Sequence, residues 1–163
     1  MITNLHNIGI YSIHKFDLLK SAEKKKVYKA ILLRGDEIVF DSTGHGLPLF
    51  IPARVLKESK YPVQIQIFLD HNDDIRNLVG YADNIRYKEK EGLICDLYFY
   101  NTSLANDVQR LLDAHAISEL SVKMLTEEHF DYRKQMNVVD KIKKLINASL
   151  VLEGASKFAK IKV

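Results

Sequence analysis

The stretch VQIQIFLDH, residues 63–71, decides the fold of this chain. Apolar residues alternate there with Gln64 and Gln66, and this is the pattern of a β-strand with one buried face, because successive side chains point to opposite sides. The alternation predicts a strand over residues 63–69 and carries His71 to the apolar side just beyond the strand end. The stretch therefore predicts a β-sheet and a histidine beside its core.

Similar short runs, rich in β-branched and aromatic residues, recur along the chain between turn signals. The other predicted strands cover residues 27–33, 37–41, 78–87, 93–100, 120–125 and 145–152, with two more near 8–12 and within 130–139. Many short strands of this kind are typical of a barrel or a sandwich. The predicted class is a β-dominated α+β fold.

Two segments predict helices. Residues 104–115 place apolar side chains at helical spacing, and Ser103 is positioned to cap the first turn. A shorter helix over about residues 53–59 follows Pro52. No linker divides the chain, and 163 residues is the usual size of one domain, so residues 1–163 are predicted to form a single domain.

The composition argues against several classes of protein. Against 24 Lys and Arg stand 21 Asp and Glu, and the net charge of +3 is too small to argue for nucleic-acid binding. No stretch approaches the roughly 20 apolar residues of a membrane span, and the N-terminal residues lack a secretion signal, so we expect a soluble protein, cytosolic when made. Cys95 is the single cysteine, which excludes an internal disulfide, and its apolar setting predicts a buried strand residue.

Ser121 is the second candidate for chemistry after His71. It lies in ISELSVKM, residues 117–124, where Leu120 and Val122 take the buried face of a predicted strand and Ser121 takes the opposite face. A serine hydroxyl is a weak nucleophile unless a base lies within hydrogen-bond reach. Taken alone, such a serine or histidine is more often solvated or structural than catalytic.

His71 and Ser121 each lie in one of four short sequence motifs. They are FIPARVL at 50–56, HN at 71–72 followed by VG at 79–80, ISELSV at 117–122, and NASLVLEGASKFA at 147–159. The histidine and the serine are 50 residues apart, with an amphipathic helix just ahead of the serine. In order and spacing, these motifs resemble those of the prohead maturation proteases of tailed bacteriophages, whose fold is shared with the herpesvirus assemblins. The resemblance covers roughly residues 50–163.

The resemblance implies a fold and an activity. The fold would be a closed or nearly closed antiparallel β-barrel with flanking helices, as in the assemblins. The activity would be that of a serine endopeptidase, with Ser121 as nucleophile and His71 as general base, and it needs no cofactor. By the same resemblance, backbone N–H groups of Gly154 and Ala155 would stabilise the oxyanion, although Gly154 is equally well explained as a turn residue.

The resemblance also implies substrates and a place of action. The substrates would be the phage major capsid protein and the scaffold protein, cleaved during capsid maturation inside assembling proheads in the host cytoplasm. The herpesvirus relatives act as dimers, so a homo-oligomer is an open alternative. Neither nucleic acid nor a membrane is expected as a partner. The rival hypothesis is a capsid-assembly or scaffolding protein that keeps the fold but has impaired or no catalysis.

The third catalytic member is where this chain departs from the family pattern. The family places a glutamate or histidine where this chain has Asn147, and replacing the carboxylate of a serine triad by an amide costs on the order of 10⁴ in kcat. Asn147 is favoured by its position in the motif, and its amide carbonyl can still orient an imidazole. Glu153 is an alternative, but along a strand it would lie about 20 Å from Asn147. Asp70, Asp73 or a water are the others.

A metal site is not expected. The other histidines lack the paired spacing of metal ligands, and Cys95 has no second cysteine beside it. These histidines are His6, His14, His45, His115 and His129.

Overall fold

Strands dominate the structure, a computed structural model that describes residues 26–40, 47–152, 159 and 161–162. Strand accounts for 55% of the described residues and helix for 16%, and the sheet curls into a half-barrel. The prediction of a β-dominated α+β fold is therefore confirmed. Within the described ranges, no helix is long and apolar enough to cross a membrane.

The described residues form nine strands and two α-helices. The strands are β1 Tyr28–Leu33, β2 Glu37–Val39, β3 Leu49–Ile51, β4 Gln64–Leu69, β5 Leu78–Lys88, β6 Gly92–Phe99, β7 Glu119–Asp131, β8 Met136–Val151 and β9 Ile161–Lys162. The helices are α1 Ala53–Glu58 and α2 Ser103–Asp113, and a single 3-10 turn covers Ile75–Asn77.

The strands form one sheet in the order β2-β3-β8-β4-β5-β6-β1-β9, with β7 paired to the other side of β8. The expectation of an antiparallel barrel is wrong at two places, because β3 and β4 both run parallel to β8. The physical reason is the length of β8. Its 16 residues pair with β7 along one edge and leave room on the other edge for β3 near Asn137 and for β4 near Asn147.

The curl of the sheet brings its last strand close to β7. Beside β9, which pairs with β1, the Leu120 N–H donates to the Ala159 carbonyl at 3.0 Å, and the Ile161 N–H donates to the Ser118 carbonyl at 2.9 Å. The concave side holds the apolar core. Its fully buried side chains include Leu32, Ile51, Leu56, Ile67, Leu93, Leu97, Leu112, Leu120 and Leu145.

The predicted elements are found with shifted boundaries. The predicted strands 120–125 and 145–152 correspond to the beginning of β7 and the end of β8, which are much longer because they are the two arms of one extended hairpin, and Leu152 lies just beyond β8. Strands β3 and β9 were not predicted, since each is only two or three residues long. The predicted strand near residues 8–12 lies outside the described residues.

Two local predictions have different outcomes. Thr102, not Ser103, caps α2, because the Thr102 hydroxyl accepts the N–H of Ala105 at 3.2 Å. Cys95 is buried in the core as predicted, and burial raises the pKa of its thiol to about 12. At neutral pH this cysteine is a small apolar residue of the sheet.

Candidate functional site

Ser121 lies near the start of β7, on the convex face of the sheet. It pairs with Ser149 of β8, which in turn pairs with Phe68 of β4, so the three side chains form one row across the three strands. The neighbouring Leu120 points into the core and is fully buried. The predicted facing of this segment is confirmed. Ser121 nevertheless has only 8% of its surface exposed, so it is not an ordinary solvated serine.

A second polar row lies next to the first on the same face. Gln66 of β4 pairs with Asn147 of β8, and Asn147 pairs with Lys123 of β7. The amide of Asn147 is 7% exposed, and the Gln66 carbonyl oxygen accepts the hydroxyl of Tyr100 at 2.8 Å. Asn147, the predicted third catalytic member, therefore lies one row away from Ser121 along the strands.

His71 lies in the turn that follows β4. The strand ends at Leu69, as predicted, but both Asp70 and His71 then adopt left-handed backbone conformations, with φ of 50° and 55°. This reverses the chain and stops the alternation of the strand. The prediction that His71 takes the apolar side is therefore wrong, because its side chain is exposed.

The backbone of this turn is fastened to the sheet. The Asp70 N–H donates to the Leu150 carbonyl of β8 at 2.9 Å, and the Asn72 N–H donates back to the Leu69 carbonyl at 3.0 Å. The exposed side chain of Asp70 makes it a poor candidate for a buried third catalytic member. His71 thus belongs to a tight turn with a fixed attachment to the strand that carries Ser149.

Asp73 joins the same turn to the convex face through its side chain. Its carboxylate accepts the Asn147 amide N–H at 3.1 Å through one oxygen and contacts the Lys123 ammonium at 2.5 Å through the other. The side chains of Lys123 and Asp73 are only 19% and 24% exposed, so water screens this ion pair less than a surface pair. The turn is thereby held over the face that carries Ser121.

Asp74, the next residue, makes different contacts from those of Asp73. Its carboxylate accepts the backbone N–H of Arg76 at 2.9 Å and pairs with the Arg76 guanidinium at 2.6 Å, which starts the 3-10 turn. The side-chain and backbone hydrogen bonds from Arg76 lower the pKa of Asp74 to about 2. Asp74 thus shapes the turn from the solvent side, whereas Asp73 attaches it to the sheet.

The predicted Ser121 and His71 pair is only partly assembled. Among the described residues, neither the Ser121 hydroxyl nor the His71 imidazole makes a side-chain hydrogen bond, and Asn147 bonds Asp73 instead of His71. Catalytic hydrogen bonds are often long without substrate and shorten in the complex, so this geometry does not exclude a dyad. Glu153, Gly154 and Ala155 lie outside the described residues.

The sequence had only weakly indicated the contribution of Asp73 and Lys123. Asp73 was one of several alternative carboxylates, and Lys123 had no role at all. The parity of β7 places Lys123 on the face of Ser121. Its pairing with a carboxylate 50 residues earlier depends on the path of the turn, which no local pattern gives.

The two other histidines that the structure describes, His115 and His129, offer no second site of this kind. The His129 imidazole lies 2.8 Å from the Asp140 carboxylate, but this exposed pair lies towards the far end of the hairpin from Ser121. His115 is exposed after α2, and His6, His14 and His45 are outside the described residues. Within the described part of the chain, no three His, Cys, Asp or Glu side chains are grouped to hold a metal ion.

Comparison with known proteins adds no relative. No protein-family model, no curated protein and no solved structure matches this chain.

Proposed function

We propose that this chain is a serine endopeptidase of the prohead maturation type, with Ser121 as nucleophile and His71 as general base. The order of its four motifs supports the proposal. The low exposure of Ser121 is also in keeping with a hydroxyl held in a shielded site.

One observation carries the proposal further than the motifs do. Asp73, two residues after His71, contacts both Asn147 and Lys123, which occupy the row next to Ser121. A turn joined in this way to the face of Ser121 supports the proposed pairing of His71 with Ser121. A solvated turn would need no such attachment.

The reaction uses the ordinary chemistry of an activated serine. The His71 imidazole takes the proton of the Ser121 hydroxyl as the oxygen attacks the carbonyl carbon of the scissile peptide bond. The tetrahedral intermediate then expels the amine as the carbon–nitrogen bond breaks, and His71 returns the proton to that amine. Water, deprotonated by His71, hydrolyses the resulting ester and restores the serine. Histidine suits both steps because its ordinary pKa lies near 6.5.

The remaining parts of the site follow from the resemblance. Backbone N–H groups at Gly154 and Ala155 would stabilise the oxyanion, at about 3 kcal/mol for one donor. Asn147 would orient the imidazole through its carbonyl oxygen. An assemblin-like barrel would support these groups rigidly, because strands hold their side chains more firmly than loops do.

The proposed substrates are the major capsid protein and the scaffold protein inside assembling proheads. The test is to co-express these proteins of the same phage with the wild-type chain and with the Ser121→Ala and His71→Ala variants. Mass spectrometry should find discrete cleavage products with the wild type alone. Intact substrates in all three samples, with each variant folded, would contradict the proposal.

A second candidate function is favoured by one specific feature. Asn147 replaces the carboxylate or histidine of the family pattern, and its amide bonds Asp73. A chain that had lost efficient catalysis could keep the fold as a capsid-assembly or scaffolding protein. Binding to unassembled capsid protein without cleavage, unchanged in Ser121→Ala, would support this function over the protease.

A further inference from the structure

Asp73 has the position and the contacts to do more than fasten a turn. A carboxylate oxygen can only accept hydrogen bonds when it is ionised, so the group of Asn147 that faces Asp73 must be the amide nitrogen. This contact settles which end of the amide is which. Since the amide is planar, the carbonyl oxygen of Asn147 is turned away from Asp73.

The orientation of Asn147 matters because this residue stands where the family pattern has a glutamate or histidine. A lone asparagine can rotate its amide by half a turn and offer either a donor or an acceptor to an imidazole. With one N–H of its nitrogen engaged by Asp73, the Asn147 amide is held in one orientation, and its carbonyl oxygen remains as the acceptor for an imidazole. An amide whose N–H donates to a carboxylate is also polarised, which makes its carbonyl a better acceptor.

Lys123 completes the arrangement on the other oxygen of Asp73. Its ammonium supplies the countercharge for a carboxylate that is only 24% exposed. Because one oxygen contacts Lys123 and the other accepts from Asn147, the plane of the Asp73 carboxylate is fixed by two contacts. The amide of Asn147 is in turn held in one orientation.

The same turn carries His71. Two backbone hydrogen bonds fix its beginning, and the carbonyl oxygen of the Asn72 side chain accepts the Asp74 N–H at 3.3 Å inside it. A change at Asp73 therefore affects both the amide and the position of the histidine relative to it.

From these contacts, and resting on the proposed function, we infer that Asp73 is a positioning residue for catalysis. It orients Asn147 so that the carbonyl oxygen of this amide accepts the N–H of the His71 imidazole. Asp73 would thus supply, through an intervening amide, the carboxylate that this chain lacks at the third catalytic position.

The test measures the rate at which a fluorophosphonate probe labels Ser121 in the purified full chain. In Asp73→Asn, the labelling rate should fall about tenfold or more, because the amide of Asn147 loses its fixed orientation. Asp74→Asn is the matched control. It removes the neighbouring carboxylate, which bonds Arg76 and not Asn147, and should label within about threefold of wild type.

Exchanging the side chains of residues 73 and 147 gives a second readout, one that should not change if the role of Asp73 is merely structural. In Asp73→Asn/Asn147→Asp, an amide at position 73 donates to a carboxylate at position 147, which can bond the imidazole directly. The exchanged chain should recover labelling to within about threefold of wild type. The double variant Asp73→Asn/Lys123→Met, which leaves no ammonium unpaired, should fold and still label slowly.

The outcomes separate this inference from the proposed function. No labelling of the folded wild-type chain would overturn both. Wild-type rates in Asp73→Asn, or in the double variant if the single one unfolds, would overturn the role of Asp73 and leave the protease intact. A slow rate that the exchange does not restore, in folded protein, would limit Asp73 to holding the turn and would also overturn the inference.

Discussion

Near Ser121, both faces of strands β4, β8 and β7 carry buried side chains, but they are shielded from water by different means. On the concave face, Ile67, Ala148 and Leu120 pack among the apolar side chains of the core. On the convex face, Ser121 and Asn147 are 8% and 7% exposed, although their strand neighbours on that face are mostly polar. Burial by apolar contact and burial beneath a hydrogen-bonded turn thus occur one residue apart.

The difference shows that buried apolar and buried polar side chains have different requirements. A buried apolar side chain needs only neighbours of the right volume, whereas a buried polar one needs a partner. Asn147 has such a partner in Asp73. Among the residues that the structure describes, the Ser121 hydroxyl has no such partner.

The largest expected effect is on the concave face. Leu120→Ala should lower the free energy of unfolding by about 2–5 kcal/mol, because it leaves a cavity beside fully buried neighbours. Urea denaturation followed by circular dichroism measures this. Leu152→Ala is the matched control, since the same side chain is 87% exposed there and its loss should change stability by no more than about 0.5 kcal/mol. Equal losses in the two variants would contradict the assignment of the two faces.

A smaller effect is expected from an ion pair elsewhere on the convex side of the sheet. Burial of Asp96 opposes its ionisation, but hydrogen bonds from Lys29 and Asn84 outweigh this and hold the pKa of its carboxyl below the usual value. A carboxyl with a lowered pKa stabilises the fold above its unfolded pKa of about 3.9 and loses this contribution as pH falls through its folded pKa.

Asp96→Asn should therefore lower the free energy of unfolding by about 1 kcal/mol at neutral pH and by less below about pH 4. Urea denaturation of both proteins across pH 2–7 measures the difference. Asp107→Asn is the control, because its pair with Arg110 is largely exposed and should contribute little at any pH. A difference for Asp96→Asn that stays constant down to pH 2 would contradict the role of its charge.

The smallest expected signal comes from Cys95 on the concave face. Its pKa is raised to about 12 by burial, so the thiolate that reacts with Ellman's reagent is scarce and shielded. The native chain should show no reaction at about pH 8 within the time that the urea-unfolded chain needs to react fully. Rapid reaction of the native chain would mean that the concave face opens readily.

The concave face could be predicted from the sequence more fully than the convex one. Alternation in residues 63–69 and around Ser121 gives the strand period and the buried side, because both depend on neighbours two residues apart. The left-handed pair at Asp70 and His71 has no such signal. Neither does the parallel pairing of β4 with β8, which places Gln66 opposite Asn147.

The candidate site was also only partly predictable from the sequence. Ser121 and His71 followed from the motifs, and Asn147 from its position in the last one. The link through Asp73 joins residues 74 positions apart, and its geometry is set by the turn and the sheet together. Long-range contacts of this kind are fixed by tertiary structure and leave no local pattern.

The most direct test of the account is to identify the residue that a fluorophosphonate probe modifies in the folded chain. Peptide mass spectrometry should find the label on Ser121, and the label should be lost in Ser121→Ala and His71→Ala. Ser149→Ala should still be labelled, because Ser149 lies directly opposite Ser121 but has no part in the proposed chemistry. Labelling of Ser149, or no labelling of the folded wild-type chain, would contradict the assignment of Ser121 as a nucleophile.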